Sequence, residues 1–391
     1  MDKVLELRGV HFAYPTLSPA LNDISLAIRR GSKVALVGPN GAGKTTLLLL
    51  CNGTLRPDRG QVILKGAPIG YDARSLRTVR KTVGLVFQNA DMQVFAPTVY
   101  QDVAFGPLNL GLEGEELDAV VQRALHDVGL ADARKRPPHH LSGGEKKRVA
   151  IAGVLAMDPE VLVFDEPTAS LDPAGAEEIM DLLDELNVAG RTILLSTHDV
   201  ELAYRWADEA VFMHSGRILA SGPPCEMFAD EALLQRAHLK PPLLTDLVQQ
   251  LARRGILGSG DAPSGMVSLL DALEQRLGVD GNRPTGTILL CDADRYPDDA
   301  IAALAADRGI SCIGAMGSKA KRSARQQGID LDVSYGVIDR CILKALAGET
   351  ALILTSGGMI DHTLRRIQSY REESGTAIAV ERLELPQSVH W

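Results

Sequence analysis

Short apolar runs alternate with helix-forming stretches along the first 250 positions of this chain. Runs such as Val34-Ala-Leu-Val37 and Val161-Leu-Val-Phe164 carry no polar position and are typical of buried strands. Strands that alternate with helices predict a largely parallel α/β sheet. The predicted strands are residues 33–37, 83–87, 161–164 and 192–196, and the predicted helices are residues 45–51, 114–128, 146–157 and 173–186.

Strands of a different kind stand at the two ends of this region. Residues 4–7 and 24–28 alternate polar and apolar positions, with Pro and Asn turns between them, and predict short strands. Residues 211–213 and 217–220 predict a hairpin whose turn is His214-Ser-Gly216.

A second and shorter α/β pattern follows a stretch rich in Gly, Ser and Pro at residues 255–265. Its predicted strands are residues 287–291, 310–314 and 351–355, and its predicted helices are residues 298–307 and 337–346. A further helix is predicted near residues 267–277. The pattern predicts one domain over residues 1–254, a linker over 255–283 and a smaller α/β domain, of three layers, over 284–391.

Composition narrows the class of protein. The 391 residues carry a net charge of −9, which argues against a nucleic-acid partner because such proteins favour a basic surface. No run of about 18 apolar residues is present, and the N-terminus lacks the layout of a signal peptide. Any membrane role is therefore expected to come through a partner. Five scattered cysteines predict reduced, mostly buried thiols and a cytoplasmic protein: Cys51, Cys225, Cys291, Cys312 and Cys341.

A glycine-rich loop between a predicted strand and a predicted helix has the pattern of a phosphate-binding loop. Glycines let the backbone turn its N–H groups onto phosphate oxygens, and the helix that follows adds the positive end of its dipole. Lys44 is expected to bridge the β- and γ-phosphates of ATP, and Thr45 to place its hydroxyl on Mg²⁺. The nucleotide-binding residues predicted here are Gly38, Pro39, Asn40, Gly41, Ala42, Gly43, Lys44, Thr45 and Thr46.

Two further motifs carry chemistry. Asp165 and Glu166 end an apolar strand, and because adjacent residues point to opposite sides of a strand, different roles are expected for them. A Gly-rich turn, Ser142-Gly143-Gly144, opens a predicted helix and has the makings of an anion site. Since the chain already has one phosphate loop, a second site suggests that one nucleotide is clamped between two subunits.

These motifs, in this order and spacing, resemble the ATPase subunits of ABC transporters. The resemblance implies a P-loop ATPase domain with a RecA-like core and antiparallel β and helical subdomains, followed by a smaller C-terminal α/β domain. It implies that Asp165 supports Mg²⁺, and that Glu166 orients and deprotonates the attacking water. Gln88 would contact Mg²⁺ and the water, and His198 the γ-phosphate; alone, either residue would usually be structural.

Three further assignments follow from the same resemblance. Tyr14 matches the aromatic residue that stacks on adenine, although a surface tyrosine is the alternative. Asp172, in Ser170-Leu-Asp172, matches a loop that couples the two sites of a dimer. Glu145 stands where many members of the family have Gln, a change that is expected to be tolerated.

Residues 87–112 resemble a narrower group, the ATPases of energy-coupling-factor transporters, above all the cobalt and nickel uptake branch. The matching pattern is Asp91-x-Gln93-x-Phe95, then Thr98-Val99, then Asp102-Val-Ala-Phe-Gly-Pro-Leu-Asn-Leu-Gly111. The resemblance implies a peripheral protein at the cytoplasmic face of the cell membrane. Two ATPase copies, a homodimer in the simplest case, would drive a transmembrane coupling subunit that carries a membrane-embedded substrate-binding component. Residues 91–99 are the expected docking site of the coupling subunit.

Several alternatives remain open. The same motor with a vitamin substrate fits equally, because substrate choice does not lie in this subunit. A soluble ABC protein of DNA repair or translation would carry a coiled-coil insertion or tandem ATPase units, and neither is found in the sequence. In the C-terminal domain, residues 317–319 and 356–358 are candidate donors to a small anion, nucleotide or metal, which would make the protein a ligand-regulated switch. Asp292 with Asp294 is a candidate cation site, and ordinary turns in a dimerisation module are the alternative.

Overall fold

The computed structural model describes residues 2–15, 19–258, 265–278, 285–293, 295, 309–334, 336–374 and 376–383. The chain divides into two compact units, Met1–Leu243 and Leu244–Trp391. The sequence predicts this boundary at residue 254, after a helix that the structure assigns to the second unit.

The first unit contains ten strands and nine helices among the described residues, followed by a helix at the boundary. The strands are β1 (Lys3–Ala13), β2 (Pro19–Arg29), β3 (Lys33–Val37), β4 (Arg59–Leu64), β5 (Ala67–Pro68), β6 (Val83–Val86), β7 (Val161–Asp165), β8 (Thr192–Thr197), β9 (Glu209–His214) and β10 (Arg217–Gly222). The helices are α1 (Lys44–Cys51), α2 (Ala73–Thr82), α3 (Val99–Asn109), α4 (Gly114–Asp127), α5 (Gly143–Leu155), α6 (Pro173–Val188), α7 (Val200–Trp206), α8 (Pro224–Ala229) and α9 (Glu231–Ala237), with α10 (Leu243–Arg253) at the boundary.

A six-stranded sheet in the order β10-β9-β3-β8-β7-β6 forms the centre of the first unit. Its pairs are parallel except for β9 with β10, which form the predicted hairpin. Every residue of β7 and β8 is buried, as the apolar runs Val161–Phe164 and Ile193–Leu195 predict for strands covered on both faces. The predicted α/β class is confirmed.

A four-stranded sheet in the order β2-β1-β4-β5 lies over the six-stranded sheet, with antiparallel pairing throughout. Apolar side chains of β1 and β2 share one core cluster with α1 and with β3, including Leu5, Ile28, Leu36 and Leu47. A second cluster joins the central sheet to α3, α4, α5 and α6. The phosphate loop is thereby held between the two sheets.

Helix α5 begins three residues earlier than predicted. The sequence predicts a Gly-rich turn and then a helix from residue 146, whereas the helix starts at Gly143 with Ser142 as its N-cap. The hydroxyl of Ser142 accepts from the N–H of Glu145, and a carboxylate oxygen of Glu145 accepts from the N–H of Ser142, so a capping box fixes the start. Both glycines therefore belong to the first helical turn.

The second unit contains helices α11 (Met266–Leu277), α12 (Ser318–Gln326), α13 (Val337–Leu346) and α14 (Met359–Ser374), and strands β11 (Thr287–Asp292), β12 (Cys312–Ala315), β13 (Ala351–Thr355) and β14 (Ala379–Arg382). The strands form a parallel sheet in the order β12-β13-β11-β14. The strand predicted at residues 310–314 starts two residues later, and the helix predicted at residues 298–307 lies outside the described residues. Helix α11 occupies part of the predicted linker.

Candidate active site

A pocket of about 730 Å³ opens at the carboxyl end of β3. Eleven of the residues predicted from the sequence line it: Tyr14, Asn40, Gly41, Ala42, Gly43, Lys44, Thr45, Thr46, Gln88, Glu166 and His198. Four more line it that the sequence does not single out: Pro19, Ala20, Ser215 and Gly216. The phosphate loop therefore shares one cavity with residues that follow β6, β7 and β8 and with the β9–β10 turn.

Steric crowding explains two glycines of the phosphate loop. A Cβ at Gly38 would lie 2.3 Å from the carbonyl oxygen of Met213, and Gly43 has φ 97°, which disfavours side chains. Lys44, the first residue of α1, donates to the carbonyl oxygens of Gly38 at 2.6 Å and Pro39 at 3.2 Å. Burial lowers the pKa of Lys44 below its ordinary value. The loop thus positions a cation where phosphate oxygens would lie.

Asp165 lies beside Thr45 at the end of β7. The hydroxyl of Thr45 donates to Asp165 Oδ2 at 2.9 Å, and the hydroxyl of Ser196 donates to Oδ1 at 2.5 Å. The strand register produces the second contact, because Asp165 in β7 pairs with Ser196 in β8. Both carboxylate oxygens are therefore oriented by hydroxyl donors.

Glu166 points to a different set of partners. Its Oε2 lies 2.7 Å from His198 Nδ1, and its Oε1 lies 3.9 Å from Lys44 Nζ. Its backbone has φ 44°, and its N–H donates to Ser196 Oγ at 3.1 Å. A carboxylate that lines the pocket beside an imidazole and an ammonium is equipped to accept a proton from water.

Gln88 follows β6, and its loop is tied to α5. Lys147 Nζ donates to the carbonyl oxygens of Phe87 and Gln88, each at 2.9 Å. Only 2% of Lys147 is exposed, and burial lowers its pKa to about 8. The side chain of Gln93 supports the same loop from its other side by accepting from the N–H of Phe87 at 3.0 Å.

Tyr14 lies at the outer edge of the pocket. Its ring packs edge-on against Phe12 with the centroids 5.0 Å apart, and its hydroxyl is 3.4 Å from Thr46 Oγ1. This edge-on contact leaves a face of the Tyr14 ring that does not pack on Phe12, and a planar base could stack on that face.

Ser142, Gly143, Gly144 and Asp172 are not among the residues that line the pocket. Ser142 and Gly143 are exposed, and a Cβ at either glycine would meet nothing within 4 Å in this chain. Asp172 caps α6 by accepting from the N–H of Gly175 at 2.9 Å. A single chain therefore leaves these predicted nucleotide-binding residues outside its own pocket.

Sequence reasoning missed three contributors. Ser196 ends a predicted strand two residues before His198, and only the register of β7 against β8 pairs it with Asp165. Lys147 carries no sequence signal, because a lysine on a polar helix is ordinary. The turn at Ser215-Gly216 joins the phosphate loop through a hydrogen bond from Gly216 N to Ala42 O at 3.1 Å, and only the tertiary fold brings these residues together.

The donor set at Thr45 suits magnesium. A hydroxyl, the Asp165 carboxylate and the Gln88 side-chain amide offer the oxygen ligands that Mg²⁺ prefers, and Mg²⁺ commonly completes its shell with substrate phosphates and water. Within the described residues, no three His, Cys, Asp or Glu side chains are grouped as metal ligands. Across the same residues, no helix is long and apolar enough to cross a membrane.

In the second unit, the predicted polar positions lie at the carboxyl ends of neighbouring strands. Gly317 precedes α12 after β12, and Ser356 follows β13. Asp292 ends β11 and pairs with Arg295, while Asp294 lies outside the described residues. The predicted Asp292–Asp294 cation site thus remains a prediction.

Known proteins resemble this chain, in part or over its whole length. The model of the ABC transporter family matches residues 21–169. The chain is 51% identical to the energy-coupling factor transporter ATP-binding protein EcfA2 of Methanospirillum hungatei, over 100% of this chain and 99% of the relative. It is 49% identical to the cobalt import ATP-binding protein CbiO of Rhodobacter capsulatus, over 67% of this chain and 93% of the relative.

Solved structures of ABC transporter ATPases also superpose on this chain. CbiO1 from Clostridium perfringens, described as part of the ABC transporter complex cbiONQ, superposes with a TM-score of 0.56 and 40% identity, over 64% of this chain and 100% of that one. The ATP-binding cassette MJ0796, a dimer bound to ADP and Pi after hydrolysis, superposes with a TM-score of 0.51 and 29% identity, over 56% of this chain and 98% of that one.

The fold and the pocket define an ATP hydrolase of the ABC type. More narrowly, the chain belongs to the ATP-binding proteins of energy-coupling-factor transporters. Both resemblances expected from the sequence are confirmed.

Proposed function

We propose that this protein works as a homodimer that hydrolyses Mg-ATP to drive the uptake of cobalt or nickel through a transmembrane coupling subunit. The observation that carries the hydrolytic part is the meeting of Lys44, Thr45, Asp165, Glu166 and His198 around one pocket. Each contributes a charge or hydroxyl that phosphoryl transfer to water requires.

The two carboxylates divide the chemistry. Asp165, already hydrogen-bonded to Thr45, holds Mg²⁺ together with that hydroxyl and Gln88. Glu166 takes the proton of the attacking water, and His198 orients Glu166 through the 2.7 Å contact and reaches the γ-phosphate. Lys44 neutralises the β- and γ-phosphates, the backbone of residues 38–46 binds phosphate oxygens, and Tyr14 stacks on adenine.

The second copy supplies what one pocket lacks. Ser142, Gly143 and Gly144 offer a hydroxyl and helix N-terminal N–H groups to the γ-phosphate of the partner's ATP. A glycine inside a helix costs about 1 kcal/mol of stability relative to alanine. A Cβ atom at Gly143 or Gly144 would meet nothing within 4 Å in this chain, so packing within the chain does not require glycine there. Close approach of a phosphate explains both glycines, and Asp172 lies in the loop that links the two sites.

The surface beside Gln88 is the dock of the coupling subunit. Met92 and Phe95 are 80% and 66% exposed, and Phe105 and Leu108 of α3 are exposed as well. The rings of Phe95 and Phe105 lie with their centroids 5.1 Å apart, so these two exposed side chains form one apolar surface. Such surfaces mark protein contacts. The partner assembly is the coupling subunit with a membrane-embedded substrate-binding component, and the ATPase lies at the cytoplasmic face of the membrane.

The similarity to the cobalt import protein of Rhodobacter capsulatus supports the choice of metal. A vitamin remains the second candidate, because the name energy-coupling factor transporter carried by the relative from Methanospirillum hungatei specifies no substrate. Cells that express the full transporter should accumulate labelled Co²⁺ or Ni²⁺ in a manner that depends on Lys44. Accumulation of a labelled vitamin instead, with no metal uptake, would contradict the metal assignment.

The variant Glu166→Gln tests the hydrolytic proposal. We expect its kcat to fall on the order of a hundredfold or more, because the base is lost while the pocket keeps its shape. We also expect it to retain ATP and to elute as a dimer in size-exclusion chromatography with Mg-ATP. Thr168→Ser, three residues from the strand end, is the control and should behave as wild type. A Glu166→Gln variant that hydrolyses ATP at the wild-type rate would show that the base is another residue.

A further inference from the structure

Two lysines of α5 hold the loop that carries Gln88. Lys147 Nζ donates to the carbonyl oxygens of Phe87 and Gln88 at 2.9 Å each, and Lys146 Nζ pairs with Asp91 at 2.7 Å. Both lysines lie within the first two turns of the helix that Ser142 caps. The loop at the pocket is therefore fastened to the helix whose N-terminus carries Ser142, Gly143 and Gly144.

Burial of Lys147 has a cost that ordinary packing would avoid. An ammonium group that is 98% shielded loses most of its hydration, and a methionine of similar length would fill the space without that loss. The buried ammonium group donates to two backbone carbonyls of the loop. The stabilisation of the loop by these hydrogen bonds offsets the free-energy cost of burying the charge.

Helix α5 transmits position because it is rigid over this distance. Ser142 and Lys147 are five residues apart, which corresponds to about 7 Å along a helix. The residues that follow, Val149 to Ala152, are buried in the core cluster shared with α3 and α4. Because these residues are closely packed, a displacement of the Gln88 carbonyl should displace the N-terminus of α5 as well, and side-chain motion alone should not accommodate it.

We propose that Lys147 is a positioning residue for ATP hydrolysis, which keeps Gln88 at the chain's own pocket in register with the Ser142–Gly144 turn offered to the second copy. This inference rests on the proposed role of Gln88 and on the proposed dimer. Lys147 is not among the residues that line the pocket; it acts by fixing the backbone from which the Gln88 side chain extends.

A double-mutant cycle on the full chain tests the inference. Lys147→Met, Gln88→Ala and the double variant are assayed for kcat and KM with Mg-ATP. We expect Lys147→Met to lower kcat on the order of tenfold with KM within about twofold, since small misplacements reduce the chemical step. In the Gln88→Ala background we expect the same change to alter kcat by less than about twofold, because the group that Lys147 positions is absent.

Arg148→Met is the matched control on the same helix. Arg148 pairs with Glu178 of α6 at 2.8 Å rather than with the Gln88 loop, so its effect on kcat should be the same factor in both backgrounds. Lys147→Gln keeps two N–H donors without the charge. It should retain more of kcat than Lys147→Met, and it replaces that variant in the cycle if Lys147→Met does not fold, as judged by its thermal unfolding.

Two outcomes would overturn the inference, and they are distinguishable. If loss of Lys147 lowers kcat by the same factor with and without Gln88, Lys147 acts elsewhere, while the role of Gln88 stands. If Gln88→Ala alone leaves kcat at the wild-type value, the proposed role of Gln88 is wrong and the positioning of that residue has no consequence for hydrolysis.

Discussion

The hydroxyl of Ser196 orders both carboxylates of the pocket. It donates to Asp165 and accepts from the backbone N–H of Glu166, so one fully buried atom fixes the side chain proposed to bind Mg²⁺ and the backbone of the proposed base. A hydroxyl can do this because it carries one donor and two acceptor sites. The two neighbouring carboxylates are therefore held in different directions, and their side chains have little conformational freedom. Two different chemical roles for Asp165 and Glu166 require such an arrangement.

At the same scale, Glu145 makes the start of α5 sensitive to pH. The backbone N–H of Ser142, with help from Arg136, holds the pKa of the Glu145 carboxyl below its ordinary value. A lowered folded-state pKa means that the stabilisation is complete above about pH 4.5, the ordinary value, and is lost as the pH falls through the folded value. We expect Glu145→Gln to unfold about 1 kcal/mol more easily than wild type at pH 7.

The measurement is urea unfolding of both proteins at pH 7 and in steps below pH 4.5. The difference should shrink as the pH falls, because the wild type then loses the charge that the variant never had. Glu115→Gln, in the first turn of α4, is the control, since the N-cap of that helix, Glu113, makes no side-chain hydrogen bond and no capping box is present there; it should give a much smaller trend. A difference between wild type and Glu145→Gln that stays constant with pH would contradict the argument.

Between elements, the segment from Phe87 to α3 combines fixed backbone with exposed apolar side chains. Asp102 of α3 accepts from the N–H groups of Phe95 and Ala96 at 2.8 and 2.7 Å, so the segment is held at its far end as Lys147 holds it at the near end. Burial raises the pKa of Asp102, and those two backbone donors oppose the rise. A fixed segment can present Met92 and Phe95 outward with a smaller loss of backbone conformational entropy on binding.

A charged side chain on this segment should therefore abolish the coupling of ATP hydrolysis to substrate uptake. We expect Met92→Glu and Phe95→Glu to reduce substrate uptake by the full transporter at least about tenfold, because a buried, unpaired carboxylate at an interface costs several kcal/mol. ATPase activity of the isolated chain should stay within about twofold of wild type. Leu277→Glu, which changes a side chain that is 76% exposed in the second unit, is the control. Undiminished uptake by both loop variants would exclude this docking site.

For the whole molecule, the first unit holds every part of the pocket. The lining residues lie between Tyr14 and Gly216, and the two clusters of the first unit draw on residues from Val4 to Leu239. The relative from Methanospirillum hungatei matches this chain over its whole length, whereas the cobalt import relative matches 67% of it. The second unit is thus shared with some relatives and is separable from the hydrolytic machinery.

A chain that ends after residue 243 should fold and bind nucleotide. We expect its affinity for Mg-ATP to lie within about threefold of the full chain, because neither the pocket nor its supporting clusters lose a residue. Isothermal titration of the corresponding Glu166→Gln proteins with Mg-ATP provides the comparison, and that substitution prevents turnover during the titration. A soluble fragment with no measurable nucleotide binding would show that the second unit supports the pocket.

The sequence by itself determined the strands of the central sheet, the phosphate loop and the carboxylates of β7. The bounds of buried strands follow from runs of neighbouring apolar residues, so Lys33–Val37 and Ala351–Thr355 have the predicted bounds. The start of α5 was missed because a capping box competes with the turn preference of two glycines, and the outcome depends on the hydrogen bonds that Ser142 and Glu145 exchange.

Only the tertiary structure decided which distant groups meet. Lys147 reaches the Gln88 loop across about 60 residues of sequence, and Ser196 reaches Asp165 through the register of two strands. Such contacts depend on how helices and strands pack, and local composition carries no signal for them. The same packing keeps the Ser142–Gly144 turn away from the chain's own pocket, which is the physical reason for proposing a second copy to complete the site.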